Sequence, residues 1–345
     1  MKPAPVHNPR GWIKVGMAIA LLAGLFLSAR FIMGGFPGAA MFIDRIQGGE
    51  QTRFPGYRRA HAKGVCIFGR FEASGALSAL SRAPLFRQGA SVPLLGRFAT
   101  ADGDPTAPDL RVPVRSLALA FTQPDGQQWR TAMNTPPVFP VSSPAEFYEL
   151  AALMKPDPAT GKPDMSKLGQ FFATHPESAA MGEWQRAYRP SASFATEIYH
   201  SINAFLLVDG EGRQHPVRWQ VEPIDAARAD APADGPPDFL FSELADRLQQ
   251  GPIRFRLVFV VAAPGDPVDD PTRPWPASRP RIDAGTITLD RTTPQQGGAC
   301  DQITYDPLVL VDGIRPSADP ILQARGGAYA ESYRRRAIEM LEGAQ

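Results

Sequence analysis

From residue 64 onward, apolar residues recur at alternate positions in short stretches bounded by Gly, Pro, Asp or Asn: 64–71, 114–122, 129–133, 204–208, 217–221, 253–262 and 285–289. A period of two turns one face of each stretch toward a core and predicts strands. Asp125-Gly126 and the run 209–212 lie between such stretches, where hairpins turn. Helical patterning is sparser. Residues 145–154 open after Ser142, Ser143 and Pro144, and 232–250 contain SELADRLQQ. Residues 319–341 are helix-compatible but interrupted at Gly326-Gly327. The six prolines of 264–280 predict an extended loop packed on other structure. This order of elements predicts an α+β fold, an antiparallel barrel with attached helices, and not an alternating βαβ sheet.

A different pattern precedes the barrel. Residues 15–29 are apolar but for Ser28 and span about 22 Å as a helix. Lys14 and Arg30 flank them, and residues 1–43 carry Lys2, Arg10, Lys14 and Arg30 with no acid. A basic leader before such a run predicts export, as a cleaved signal or as an uncleaved anchor reaching over residues 11–29. The folded part is then expected in the periplasm, touching the membrane only through that segment. The expected organisation is a signal or anchor at 1–30, a linker or arm at 31–50 and one domain at 51–345.

Composition narrows the picture. An apolar share of 43% in 345 residues permits a sizeable core. The 36 prolines and 31 glycines argue against a helical bundle. A formal charge of +1 gives no reason to expect nucleic acid. Cys66 and Cys300 are too few for a disulfide framework; they form one bridge or stand as two separate buried thiols.

Five histidines, with no HExxH and no Cys/His cluster, leave zinc and non-haem iron without support, and GxSxG and a nucleotide-binding glycine loop are absent. Arg325 lies four residues before Tyr329, so on a helix the two share a face. A guanidinium beside a phenol oxygen favours the phenolate, one of the few axial ligands that haem accepts.

The segments HAKGVCIFGRFE, LLGRFATADGD, MNTPPVF, DDPTRPWP and GIRPSADPILQARGGAY, in this order, resemble the core of the haem catalases. The length resembles the shorter catalase-related peroxidases. The resemblance spans roughly residues 50–340 and implies a catalase-like β-barrel holding haem, of b type. It implies that His61 is the distal acid–base group and Asn134 a hydrogen-bond donor to peroxide. Tyr329 would be the axial ligand of the haem iron, with Arg325 holding it as phenolate. Arg58, Arg97 and Arg336 would bind the haem propionates, and Phe139 and Phe147 would line the distal side.

Departures from the family pattern matter as well. Ala99 stands where the family has a serine whose hydroxyl supports the distal histidine, which implies a less firmly oriented His61. Gly326-Gly327 imply a looser proximal helix. The expected activity is therefore reduction of hydrogen peroxide or organic peroxides by small organic electron donors, with weak or absent catalase activity, in a monomer or small homo-oligomer. A non-enzymatic haem carrier and an exported barrel binding an apolar ligand are the alternatives.

Overall fold

The computed structural model describes residues 38–47, 54–155, 157, 160–224 and 227–343, so the expected leader or anchor lies outside the described residues. The alternating stretches become strands, all paired antiparallel. These are β1 (Gly64–Ala73), β2 (Ser91–Thr100), β3 (Arg115–Thr122), β4 (Gln128–Asn134) and β5 (Tyr199–His200). They continue with β6 (Phe205–Val208), β7 (Gln214–Pro223), β8 (Ile253–Val261), β9 (Arg281–Pro294) and β10 (Ile314–Pro316). Pairing of β7 with β8 closes the sheet into a ring of eight strands, β1-β2-β3-β4-β5-β7-β8-β9. β6 shares one edge of β7 with β5, and β10 adds outside β6. Closure removes the free edges that an open sheet of this length would expose.

Alternation decides what fills the ring. Phe98, Leu117, Leu119, Phe121, Trp129, Met133, Trp219, Phe255 and Phe259 point into one continuous core. Phe121 stacks on Trp129 with centroids 4.7 Å apart, and Trp129 meets Trp219 edge-on at 5.0 Å. Trp219 keeps its one polar atom satisfied by donating Nε1–H to Thr131 Oγ1 at 2.9 Å. β2 was not among the expected strands, because Pro93 and Gly96 interrupt its pattern. Its edges nevertheless pair fully with β1 and β3.

Six α-helices are described outside the ring: α1 (Ala39–Gln47), α2 (Pro144–Leu153), α3 (Met165–Thr174), α4 (Ala179–Ala187), α5 (Phe239–Gln250) and α6 (Pro320–Glu342). The expected helices at 145–154, 232–250 and 319–341 correspond to α2, the second half of the next stretch, and α6. α2 starts with a capping box between Ser143 and Glu146, worth about 1 kcal/mol. α1 falls inside the stretch read as a linker or arm. It buries Phe42 and Ile43, sets Phe42 against Phe147 at 5.6 Å, and receives Arg335 from α6 at Asp44 and at the Ala40 carbonyl. The interruption expected at Gly326-Gly327 does not occur, and α6 is continuous. A methyl at Gly326 would meet Leu308 Cδ1 at 2.9 Å, so the glycine serves close packing there. Asp319 caps this helix by accepting from the amides of Ile321 and Leu322.

Among the described residues no helix is long and apolar enough to cross a membrane. The 264–280 segment holds no helix or strand and runs through several turns, packed on other structure as expected and held by Arg218, which donates to the carbonyls of Asp270 and Arg273 at 2.9 Å. Of the two readings of the cysteines, the structure takes the bridge: Cys66 on β1 is bonded to Cys300 with Cα atoms 5.3 Å apart. This ties the segment after β9 to the barrel wall. Replacing both cysteines by alanine is expected to lower unfolding stability by about 2–4 kcal/mol, because the unfolded chain loses a long-range tether. Urea denaturation of both forms, repeated with reductant, checks this; the difference should vanish when the bridge is reduced.

Candidate functional site

Residues opposite the core point outward on β1–β4, and cross-strand register gathers them into rows. Ala99, Ser116 and Asn134 stand directly opposite one another on β2, β3 and β4, with Gly64 beyond Ala99 on β1. Two residues along, Arg97, Ala118 and Ala132 form the next row, beginning at Cys66. Side chains two apart on a strand share a face. The outer wall therefore has a polar row, then a cation beside two methyl groups. Ala118 and Ala132 take up little room, leaving a flat-floored cradle beneath α6.

His61 is brought to this wall from the segment before β1. Its φ of 54° is unusual for a residue with a side chain, and the surrounding bonds hold it there. Arg97 Nη2 donates to the His61 carbonyl at 2.6 Å and to that of Ala62 at 3.1 Å. The Ala62 amide donates to the Asp102 carbonyl at 2.7 Å. Gly64 makes the crossing of Arg97 possible, since a methyl at that position would collide with the guanidinium. His61 Nδ1 then lies 2.8 Å from Ser116 Oγ, and Ser116 donates to Asn134 Oδ1. The expectation that Ala99 leaves His61 without a supporting hydroxyl is corrected here. Ser116, the cross-strand neighbour of Ala99, supplies one. Burial first, and then the charges of Arg97, Arg325 and Arg58, push the imidazole down to about 4, so it is neutral near pH 7.

On α6, Arg325 and Tyr329 meet as their spacing predicts, with Arg325 Nη2 donating to the phenol oxygen at 3.3 Å. Arg325 is itself fixed. Its Nη2 also donates to the Ala132 carbonyl at 3.1 Å, and its Nη1 donates to Asn203 Oδ1 at 2.7 Å. Asn203, fully buried, donates in turn to the capping Asp319 at 2.7 Å. Tyr329 packs against the cluster of Cys66, Ala120, Cys300 and Tyr305, on the same wall as Asn134.

Arg58, Arg97 and Arg336 gather near one acid, Asp301. Arg58 pairs with Asp301 at 3.4 Å and donates to the carbonyls of Cys300 and Ile303, each at 2.9 Å. Arg336 reaches Asp301 only at 4.0 Å, and its buried Nε has no partner. Arg97 gives its Nε to Gln295 Oε1 at 2.5 Å. Arg59 is neutralised by Glu339 and adds nothing to the surplus. Burial, followed by the neighbouring Arg336, pushes Arg58 down to about 10. Burial and then Arg58 lower Arg97 well below its ordinary value. Three guanidiniums facing one carboxylate in a poorly hydrated place are unstable unless further anions join them. A planar group with two carboxylates, as in haem, fits this donor set, this cradle and a phenol held by an arginine.

Phe139 and Phe147 are brought together at 4.8 Å, but in the cluster of Val141, Leu150, Leu168 and Phe171. Among the described residues no ring contact or hydrogen bond joins them to His61 or Asn134. Three contributors escaped sequence reasoning: Ser116, Asp301 and Gln295. A signal existed for Ser116, because counting outward from the turn at Asp125-Gly126 pairs it with Asn134. For Asp301 and Gln295, which follow β9, none did. One further trio, Glu146, His175 and Glu177, places ligand-type atoms within 4.8 Å of one another away from this wall. Glu146 Oε2 already serves the cap of α2, and His175 Nδ1 lies 2.8 Å from the Phe171 carbonyl.

The family profile described as catalase matches residues 39–341. A catalase-related peroxidase of Synechococcus elongatus is 38% identical over 93% of this chain and 96% of its own. A catalase-related peroxidase of Mycolicibacterium paratuberculosis is 34% identical over 85% of this chain and 93% of its own. Among solved structures, catalase A from Saccharomyces cerevisiae superposes with a TM-score of 0.73 at 23% identity. That match covers 83% of this chain and 62% of the yeast one, and shows the fold.

The surplus of positive charge generates a measurable expectation. In the cofactor-free protein the His61 ring should titrate near 4, well below the ordinary 6.5 of imidazole. The folded pKa lies below the unfolded one, so this residue's contribution to stability falls as pH drops from about 6.5 toward 4. Proton NMR of the ring, assigned by its loss in His61→Gln, reads the midpoint; a value above 6 would show that burial and the arginines do not act on it.

Proposed function

The chain belongs to the catalase family, whose members bind haem and act on peroxide, and from that premise we propose that it is a haem peroxidase using small organic electron donors. The observation that carries this reading is one barrel face with a neutral imidazole and an amide, on which α6 packs an arginine-held phenol. Haem of b type, when bound, would supply the redox chemistry that parts the O–O bond of a peroxide. Tyr329 would hold the iron through its phenol oxygen, to which Arg325 donates at 3.3 Å. Arg336, Arg58 and Arg97 would hold the two propionates, offsetting their own burial.

The remaining steps belong to protein groups. His61 Nε2 has no protein partner among the described residues, so it is free to take the proton of an incoming hydroperoxide. The same nitrogen returns that proton to the departing oxygen, which leaves as water or an alcohol. Asn134 Nδ2 is likewise unengaged and donates toward the oxygen on which charge develops. Hydrogen peroxide and organic peroxides are the proposed substrates.

Ser116 removes Ala99 as an argument for weak oxygen release, because the hydroxyl is present after all. The preference for peroxidase over catalase chemistry is supported instead by similarity to the two catalase-related peroxidases along nearly their whole length. The apolar run 15–29 and the Cys66–Cys300 bond both support export to an oxidising compartment such as the periplasm. Whether that segment stays as an anchor decides contact with the membrane.

Tyr329→Phe is expected to abolish stable haem loading, read as loss of Soret absorption after reconstitution. His61→Ala should keep the Soret band and lower peroxide turnover about 100- to 10,000-fold. With purified protein, donor oxidation should outrun oxygen evolution at equal peroxide; dominant oxygen release would overturn the proposed preference. A carrier without enzymatic activity would load haem yet lose nothing on His61→Ala, and a barrel binding an apolar ligand would show no Soret band at all.

A further inference from the structure

Ser116 Oγ lies 2.8 Å from His61 Nδ1 and 2.5 Å from Asn134 Oδ1. A hydroxyl has one proton to give and lone pairs to accept with. An amide oxygen only accepts, so the Ser116 proton goes to Asn134 and the His61 contact must run the other way, with Nδ1–H donating to Ser116. We propose that Ser116 is a positioning residue that sets both distal groups at once, fixing His61 as the Nδ1–H tautomer with Nε2 as the base and holding the Asn134 amide with Nδ2 as the donor. This rests on the function proposed above for His61 and Asn134. The opposite arrangement is self-consistent but inverted. With the amide turned over, Asn134 Nδ2 donates to Ser116, Ser116 donates to Nδ1, and His61 carries its proton on Nε2. In that state the imidazole offers no lone pair to a hydroperoxide, and one of the two Asn134 N–H donors is spent on Ser116. One hydroxyl thus locks two hydrogen bonds into a single direction.

The position of Ser116 makes this more than a local contact. It sits in the middle of the row formed with Ala99 and Asn134, and it is 9% exposed while Ala99 is 1% exposed. The strand order that faces Ser116 with Asn134 is reinforced at the next residues, where the Thr135 amide donates to the Arg115 carbonyl at 3.0 Å. His61 is held from behind by Arg97 on its carbonyl, which fixes the backbone but leaves the ring free to turn. Among the described residues the only hydrogen bond of the ring is the one to Ser116. Ala99, on the same face one strand away, is the other place from which a hydroxyl could approach the same ring.

Nitrogen-15 NMR of protein labelled at histidine tests the tautomer directly in the cofactor-free form, with His61 assigned by its loss in His61→Gln. The expected spectrum has a protonated Nδ1 and a bare Nε2. Ser116→Ala should give a mixed or averaged tautomer and lower kcat/KM for peroxide about 10- to 100-fold in the haem-loaded protein, with the Soret band unchanged. Ser116→Thr, which keeps the hydroxyl, should retain both signatures. The double variant Ala99→Ser/Ser116→Ala should recover them in part, which a purely structural role would not explain. A wild-type spectrum with the proton on Nε2 overturns the proposal, as does a Ser116→Ala protein with an unchanged tautomer and turnover within twofold. Failure of the protein to load haem would sink the proposed function, whereas the tautomer measured without cofactor still decides the role of Ser116.

Discussion

The site depends first on the register of β2, β3 and β4. A slip of one residue in any pair would turn Ser116 or Asn134 into the core and push Leu117 or Met133 outward. Core and site are thus two readings of the same alternation. Packing of Phe98, Leu117 and Met133 inside the ring is what keeps Arg97, Ala99, Ser116 and Asn134 aligned outside it. Loss of apolar contacts in the core would be felt as misalignment of hydrogen bonds on the wall.

Upon that wall the structure concentrates charge that it does not itself neutralise. Arg58 and Arg336 share Asp301, Arg97 lies beside them, and burial lowers the pKa of each. The same field, together with burial, keeps His61 neutral. One cause therefore serves two ends: it favours a dianionic group in the cradle and leaves the imidazole ready to accept a proton. The Cys66–Cys300 bond belongs to this arrangement as well, since Arg58 donates to the Cys300 carbonyl. A chain of hydrogen bonds from Asp319 through Asn203 and Arg325 to Tyr329 does the corresponding work on α6, linking the cap of the helix to the phenol in its middle.

Much of this was legible in the chain. The alternating stretches gave seven of the strands, with ends that moved by a few residues, and the Arg325/Tyr329 spacing gave their meeting. Resemblance to a family drew attention to His61 and Asn134, which share one hydroxyl. β2 was missed because Pro93 and Gly96 break the apolar pattern, although both are tolerated where pairing with β1 and β3 is supplied from elsewhere. Gly326-Gly327 read as a break because glycine disfavours helix by about 1 kcal/mol per residue, a local cost that packing against Leu308 and a strong cap at Asp319 outweigh. Helix α1 was hidden by its neighbours Phe36-Pro37-Gly38 and Phe54-Pro55-Gly56, which suggest an irregular arm. Contacts to α2 and α6 make it a helix.

The sequence by itself determined the period of its apolar residues, the turn at Asp125-Gly126 and the pairing of Arg325 with Tyr329, because each rests on neighbours within a few residues of one another. Tertiary structure alone decided that the hydroxyl beside His61 comes from Ser116 and not from residue 99. It also decided that Asp301 answers for two arginines and that Cys66 meets Cys300. Those facts depend on which strands lie side by side and on how far a side chain reaches across them, quantities that closure of the barrel sets and no local pattern contains.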